Sequence, residues 1–375
     1  APHGSQVMIL DSEGRPPGLA WLQALREPNV ALSWPLAEWE RALRLARRLR
    51  LLARLAEGLL ASGLMDSVPS QPRRHLVAEH RLSRWRTSAM LWALERVTTM
   101  LREAPYPCVL LKGAAYIGQD LPIAAGRLPA DLDVLVPRVH LPDALARLTR
   151  GGWNMAKLDE HDRRYYHEWS HEVPPMRHPM LVMELDLHHG ILPPVARTNV
   201  DTDVLLQRLR PSKWARWQVL DPADQVLHGA AHLFLDSEVR DRIRDLVDLD
   251  GLLRYFGQTP DFINQLPGRA QQLGLEEPLA LALHFCANWF GTPIPAQVMT
   301  ASRAIGLDGL RRASLIPLFE RVLLPAEPDE ASPPSQGAAA FTLRARYHLN
   351  RMPIRLLVPH LWHKARSGRH GRTVS

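Results

Sequence analysis

The 375-residue chain has almost no lysine: Lys112, Lys157, Lys213 and Lys364 are the only four, and every other basic side chain is arginine. A bias this strong reflects genomic composition, and it singles out Lys112, the one lysine inside a motif described below. Cysteine is scarcer still. Cys108 and Cys286 form no CxxC pair and no metal-ligand spacing, which excludes a disulfide framework and suits a reducing cytoplasm, the location expected here. No run of about 18 apolar residues occurs, so no transmembrane helix is expected. The opening APHGSQVMILDSEGRPPG lacks a basic segment followed by an apolar one, so a secretory leader is not expected. Acidic residues are missing after Glu330, where eight Arg and Lys remain. No repeat of solenoid period is present.

What is there is ordinary for a globular protein: 46% hydrophobic and 23% charged residues. The length allows a full core and two or three subdomains. The formal charge of +7 is compatible with nucleic acid, an anionic membrane face or phosphorylated substrates, and selects none of them.

Residues 37–64, AEWERALRLARRLRLLARLAEGLLASGL, repeat apolar side chains every three or four positions. That predicts one amphipathic helix with a solvated arginine face. SVPSQPRR interrupts it, and a second helix is expected over 75–103, with Leu82, Trp85, Met90, Leu91, Leu94 and Val97 in the core. At Pro105 the period changes. CVLLK (108–112), DLDVLVP (131–137) and MLVMELDLHHGIL (180–192) read as strands, with helices from Gly113 and over 141–153 between them. Helical patterns return over 222–256 and 278–291, and 325–340 has linker composition. The expected organisation is an N-terminal helical region (1–104), an α/β core (105–200), a C-terminal helical domain (201–324), a linker (325–340) and a basic tail (341–375) with a disordered end.

The chemistry concentrates in the core. Side chains alternate along a strand, so Asp131 and Asp133 share one face, roughly 7 Å apart, while Leu132 and Val134 take the other. Two carboxylates so close call for a cation, and Mg²⁺, with its preference for oxygen ligands, is the natural one. In ELDLHH, Glu184, Asp186 and His188 share a face in the same way. If this strand lies beside DLDV, a three-carboxylate cluster results, suited to in-line phosphoryl chemistry. LLKGAA places Lys112 at the end of a strand and Gly113 at the start of a helix, where backbone N–H groups suit phosphate. Lys112 and Arg127 are positioned to neutralise a triphosphate.

The ordered set LKGAA (111–115), Arg127, DLDVLV (131–136) and ELDLHH (184–189) resembles the uncharacterised nucleotidyltransferase family of the polymerase-beta-like superfamily. VLHGAAHLF (226–234) and DRIRDLVDLDGLL (241–253) extend the resemblance, which runs over roughly 35–365. It implies an α+β fold: a small mixed-sheet nucleotidyltransferase core between helical regions. It also implies transfer of a nucleoside monophosphate, such as AMP, from an NTP to a hydroxyl or phosphate acceptor. Two Mg²⁺ ions, or Mn²⁺, would serve this transfer. By position, Asp131 and Asp133 would bind both ions. Asp186 would bind the catalytic ion and help to deprotonate the acceptor, with Glu184 its rival and His188 an auxiliary. Lys112, Gly113, Ala114 and Arg127 would hold the nucleotide. Two departures stand out: Ala114 where many superfamily members have serine, and His189 where the family has an aromatic residue.

Other polar residues have alternative readings. His161, His167, His171, His178, His188 and His189 could include a zinc site, but no HExxH or CxxC spacing supports one, and loop histidines are expected. His228 and His232, with Asp248, could bind metal, though a hydrogen-bonded bridge between helices is favoured. Arg344, Arg346, Tyr347, Arg351 and Arg355 mix basic and aromatic side chains; a surface helix is favoured over a nucleic-acid contact. Two other functions stay open: a non-catalytic NTP-binding scaffold, and a nucleic-acid-binding protein using the basic helices and tail.

Overall fold

The computed structural model describes residues 17–155, 166, 169–331 and 333–351. His161, His167, Arg355 and the expected disordered end lie outside these residues. The amphipathic stretch expected as one helix is two, α1 (Leu36–Arg48) and α2 (Leu52–Ala61). Arg50 turns the chain with φ 57°. The N–H groups of Leu51 and Arg50 bond back to the carbonyls of Ala46 and Arg47. This is a Schellman turn made without the usual glycine. The break lets both apolar faces reach the interior, Trp39, Leu45 and Ala46 from α1 and Leu52, Leu55 and Leu59 from α2.

Arg44, Arg47 and Arg48 of α1 are exposed, as expected of that face, and Arg41 is half-buried, but several of them find partners. Arg41 bonds Glu327 at 2.6 Å, Arg44 bonds Asp329 at 2.6 Å, and Arg48 donates to the Ala326 carbonyl. The stretch expected as a linker is therefore tied to α1, and its second half belongs to a helix, Pro334–Arg351. The second expected helix is α3 (Ser70–Leu101). It buries Met90, Leu94 and Val97, whereas Leu82 and Trp85 are exposed.

The core sheet has seven strands, where three were legible in the sequence. They are β1 (Cys108–Leu110), β2 (Asp131–Leu135), β3 (Asn154–Met155), β4 (Met176–Arg177), β5 (Glu184–His188), β6 (Arg210–Pro211) and β7 (Trp217–Val219). The order is β3-β4-β5-β2-β1-β7-β6. The central strands are mixed: β2 runs antiparallel to β1 and parallel to β5. Leu132, Val134, Leu185 and Leu187 are fully buried, as the alternation requires. Short helices α4 (Lys112–Gly118) and α5 (Leu141–Arg150) follow β1 and β2. The C-terminal helices include Pro222–Phe234, capped by Asp221, and Ile243–Phe256, and both pack on the apolar Glu276–Phe290. The whole is an α+β fold with helical regions flanking a mixed sheet. No described helix is long and apolar enough to cross a membrane.

Candidate active site

The parallel pairing of β2 with β5 builds the site. Its register sets Asp131 opposite Glu184, Asp133 opposite Asp186, and Leu135 opposite His188. Neighbours in register point to the same side of a sheet, so Asp131, Asp133, Glu184, Asp186 and His188 share one face. The rivals Glu184 and Asp186 part company there. Glu184 turns outward to Arg177 at 2.6 Å, while Asp186 stays beside Asp133.

Lys112 and His188 converge on Asp133. Lys112 Nζ donates to Asp133 Oδ1 at 2.7 Å, and His188 Nε2 lies 3.1 Å from the same oxygen. Burial works against the charged Asp133 carboxylate, yet Lys112 and His188 outweigh it and hold the carboxyl well below the usual range. The other two carboxyls go the opposite way. Burial, then repulsion from Asp133, raises Asp131. Burial, then Asp133 and Asp131, pushes Asp186 up to about 7. Asp186 Oδ1 is buried and accepts no hydrogen bond. Crowded carboxylates with an orphaned oxygen match the ligand set of a hard divalent cation. Lys112 reaches this site from the β1–α4 junction with φ 44°, a left-handed conformation rare for a residue with a side chain.

Gly113 and Arg127 are coupled. A Cβ on Gly113 would fall 2.3 Å from Arg127 Nη1, so the glycine makes room for a guanidinium before any ligand is considered. Arg127 is buried, donates from Nε to Asp248 Oδ2 at 3.0 Å, and lies over the Tyr116 ring. Arg54 donates to the other Asp248 oxygen at 2.9 Å. Asp248 is thus the partner of two arginines and not of His232. Ala114 is buried.

A cavity of ≈ 380 Å³ opens beside Asp131 and Asp186. Lys112 and Arg127 line it, as expected, together with Arg50, Arg242 and Arg244, which the sequence reading did not single out. Burial lowers Arg244, whose Nη1 is buried with no hydrogen-bond partner. In a chain where arginine is everywhere, three more in RLR and DRIRD carried no signal.

The histidines divide. His178 packs on Trp153. His228 and His232 lie with ring centroids 6.3 Å apart, and His232 Nδ1 is 2.8 Å from Arg242. Burial depresses both, His228 to about 3. The expected bridge to Asp248 is not made; His232 pairs with Arg242 instead. Among the described residues, the group whose possible ligand atoms all lie within 4.8 Å of one another is His171, Glu172 and His188. The Asp131, Asp133 and Asp186 oxygens do not converge as tightly, because Asp133 is turned to Lys112 and His188.

The mixed sheet thus carries in-register aspartates beside an arginine-lined cavity. The chain belongs to the uncharacterised nucleotidyltransferase family, whose model matches residues 35–291. That match ends well short of 365, so the C-terminal helices beyond the apolar Glu276–Phe290 stand outside it. Neither the curated proteins nor the solved structures contain a match to the chain.

Proposed function

We propose that the chain moves a nucleoside monophosphate from an NTP to a hydroxyl or phosphate acceptor, with Mg²⁺ held by Asp131, Asp133 and Asp186. The observation that carries this reading is the register of Asp133 with Asp186, together with the orphaned Asp186 oxygen. When bound, the cation supplies charge neutralisation for the triphosphate and the departing pyrophosphate. The chain does the rest by positioning and electrostatics. Arg50, Arg242 and Arg244 line the same cavity as Asp131 and Asp186 and would meet the triphosphate there. Lys112 is the counterion of Asp133, and would be released to reach a phosphate if a cation replaced it there. Asp186 would lie beside the acceptor hydroxyl and help to take its proton; the rise of its carboxyl belongs to the cation-free site, and a bound cation would reverse it. Glu184, bonded to Arg177, is the weaker candidate.

The test is incubation of the full chain with each α-³²P-labelled NTP, Mg²⁺ or Mn²⁺, and panels of sugar, peptide and small-molecule acceptors. Label transfer with pyrophosphate release is expected, and Asp131→Asn or Asp186→Asn should reduce it by about 10²-fold or more. Absence of both products under every condition would sink the proposal. The hold of Lys112 and His188 on Asp133 favours a second reading, a nucleotide-binding scaffold. It predicts NTP binding with no turnover.

A further inference from the structure

We propose that His171, Glu172 and His188 bind one first-row transition-metal ion, zinc foremost, at a site next to the Asp131–Asp186 carboxylates, whose cavity Glu172 also lines. The donor set is two imidazoles and one carboxylate. That set suits zinc and its neighbours, whereas magnesium takes oxygen ligands and retains water.

Distances support an ion of that size. His188 Nδ1 lies 3.4 Å from Glu172 Oε2, and His171 Nε2 lies 3.9 Å from the same oxygen. Two metal–ligand bonds of about 2.0–2.1 Å at a tetrahedral angle span about 3.3–3.4 Å. An ion therefore fits between His188 and Glu172 as they stand, and His171 needs to close on Glu172 by at least about half an ångström.

A second observation points the same way. His188 is buried, and its Nδ1 makes no hydrogen bond; the 3.4 Å approach to Glu172 is a contact without hydrogen-bond geometry. A buried imidazole nitrogen without a hydrogen bond, facing a carboxylate and a second imidazole, is what a metal ligand looks like before its ion arrives.

The backbone holds the three ligands in place. Glu172 and His188 form an antiparallel bridge. Around it, the N–H of Val173 donates to Leu187 and that of His189 donates to the His171 carbonyl at 2.8 Å. The site faces a cavity of ≈ 160 Å³, room for a water or substrate atom in the fourth position.

The other side of His188 gives the ion a role. With Nδ1 on metal, Nε2 must carry the proton, and it donates to Asp133 Oδ1. A ligating histidine characteristically hands its second N–H to a carboxylate. His188 is then a positioning residue: the ion fixes its tautomer, and through it the orientation of Asp133.

Binding does not rest on the proposed transfer reaction and is read without it. The full chain, stripped with chelator, is titrated with Co²⁺ in excess Mg²⁺, and the intense visible bands of low-coordinate Co²⁺ are followed. One Co²⁺ per chain is expected, displaced by Zn²⁺. His171→Ala and Glu172→Gln should each weaken Co²⁺ binding at least about tenfold, while Asp131→Asn and Asp186→Asn leave it unchanged. Circular dichroism checks that each variant is folded, and the half-exposed Glu172 serves if His171→Ala is not. No saturable binding would overturn the proposal. So would Co²⁺ lost in Asp131→Asn and kept in Glu172→Gln, because the ion would then sit on the carboxylates.

Discussion

Asp186 shows how a residue can be placed for function at a cost to the empty fold. Its carboxyl rises from 3.8 to about 7 because burial and two neighbouring aspartates oppose its charge. A pKa raised in the folded state means that folding favours the protonated form. Its stabilising effect is complete below the unfolded value near 3.8 and fades as pH rises to about 7, where the ionised group becomes a liability. Asp186→Asn should therefore raise the melting temperature of the chelator-treated chain at pH 8 by roughly 1–2 °C for each kcal/mol relieved. At pH 3.5 the difference should shrink towards zero. Mg²⁺ should stabilise the wild type and not the variant. A melting temperature that falls at pH 8 would mean that Asp186 is well solvated or partnered. At this scale the sequence was a good guide for groups on strands, because alternation alone puts Asp131, Asp133 and Asp186 on one side. It was silent on Glu172 and Arg244. Neither belongs to a strand pattern, and each reaches its site only through the packing of distant segments.

At the scale of elements, Asp248 is where three regions meet. It lies on the Ile243–Phe256 helix and accepts from Arg54 of α2 and from Arg127 of the loop before β2. Burial opposes its charge, yet Arg127 and Arg54 hold its carboxyl below the usual value. A depressed carboxyl contributes stability above its unfolded pKa and loses it as pH falls through the folded value, so at neutral pH the contribution is intact. Asp248→Asn leaves two buried guanidinium groups without their counter-charge and should cost about 3–5 kcal/mol. The readout is the midpoint of urea unfolding at pH 7. An unchanged midpoint would show that the arginines find water or another acceptor. Periodicity in the sequence located most of these helices. It missed the turn at Arg50, because RLRLLARL contains no glycine or proline to mark it. It missed β3, β4, β6 and β7, because strands of two or three residues are too short to show a period.

The whole molecule turns much of its arginine inward or onto acidic partners. Arg41 and Arg44 hold Glu327 and Asp329, Arg242 holds Asp236 and Asp245, and Arg344 and Arg346 pair with Glu238 and Glu277. The basic residues of α1 and of Pro334–Arg351 are thus largely paired, which weakens the reading of these two helices as a nucleic-acid track, whereas Arg74, Arg81, Arg84 and Arg96 of α3 are exposed. The Pro334–Arg351 helix illustrates the point. Composition alone suggests a basic tail after a linker. In the structure, the helix packs along Gly309–Leu323, Ala339 and Leu343 are buried, and Gln336 bonds the Leu324 carbonyl at 2.8 Å. The two pictures differ in energy by enough to separate them. A side chain on a solvated tail changes stability by about 0.5 kcal/mol or less when truncated. A buried leucine that leaves a cavity costs about 2–5 kcal/mol. Leu343→Ala should therefore lower the urea midpoint clearly, while Phe341→Ala, on the exposed side of the same helix, should not. Equal and negligible effects at both positions would return the helix to the status of a tail.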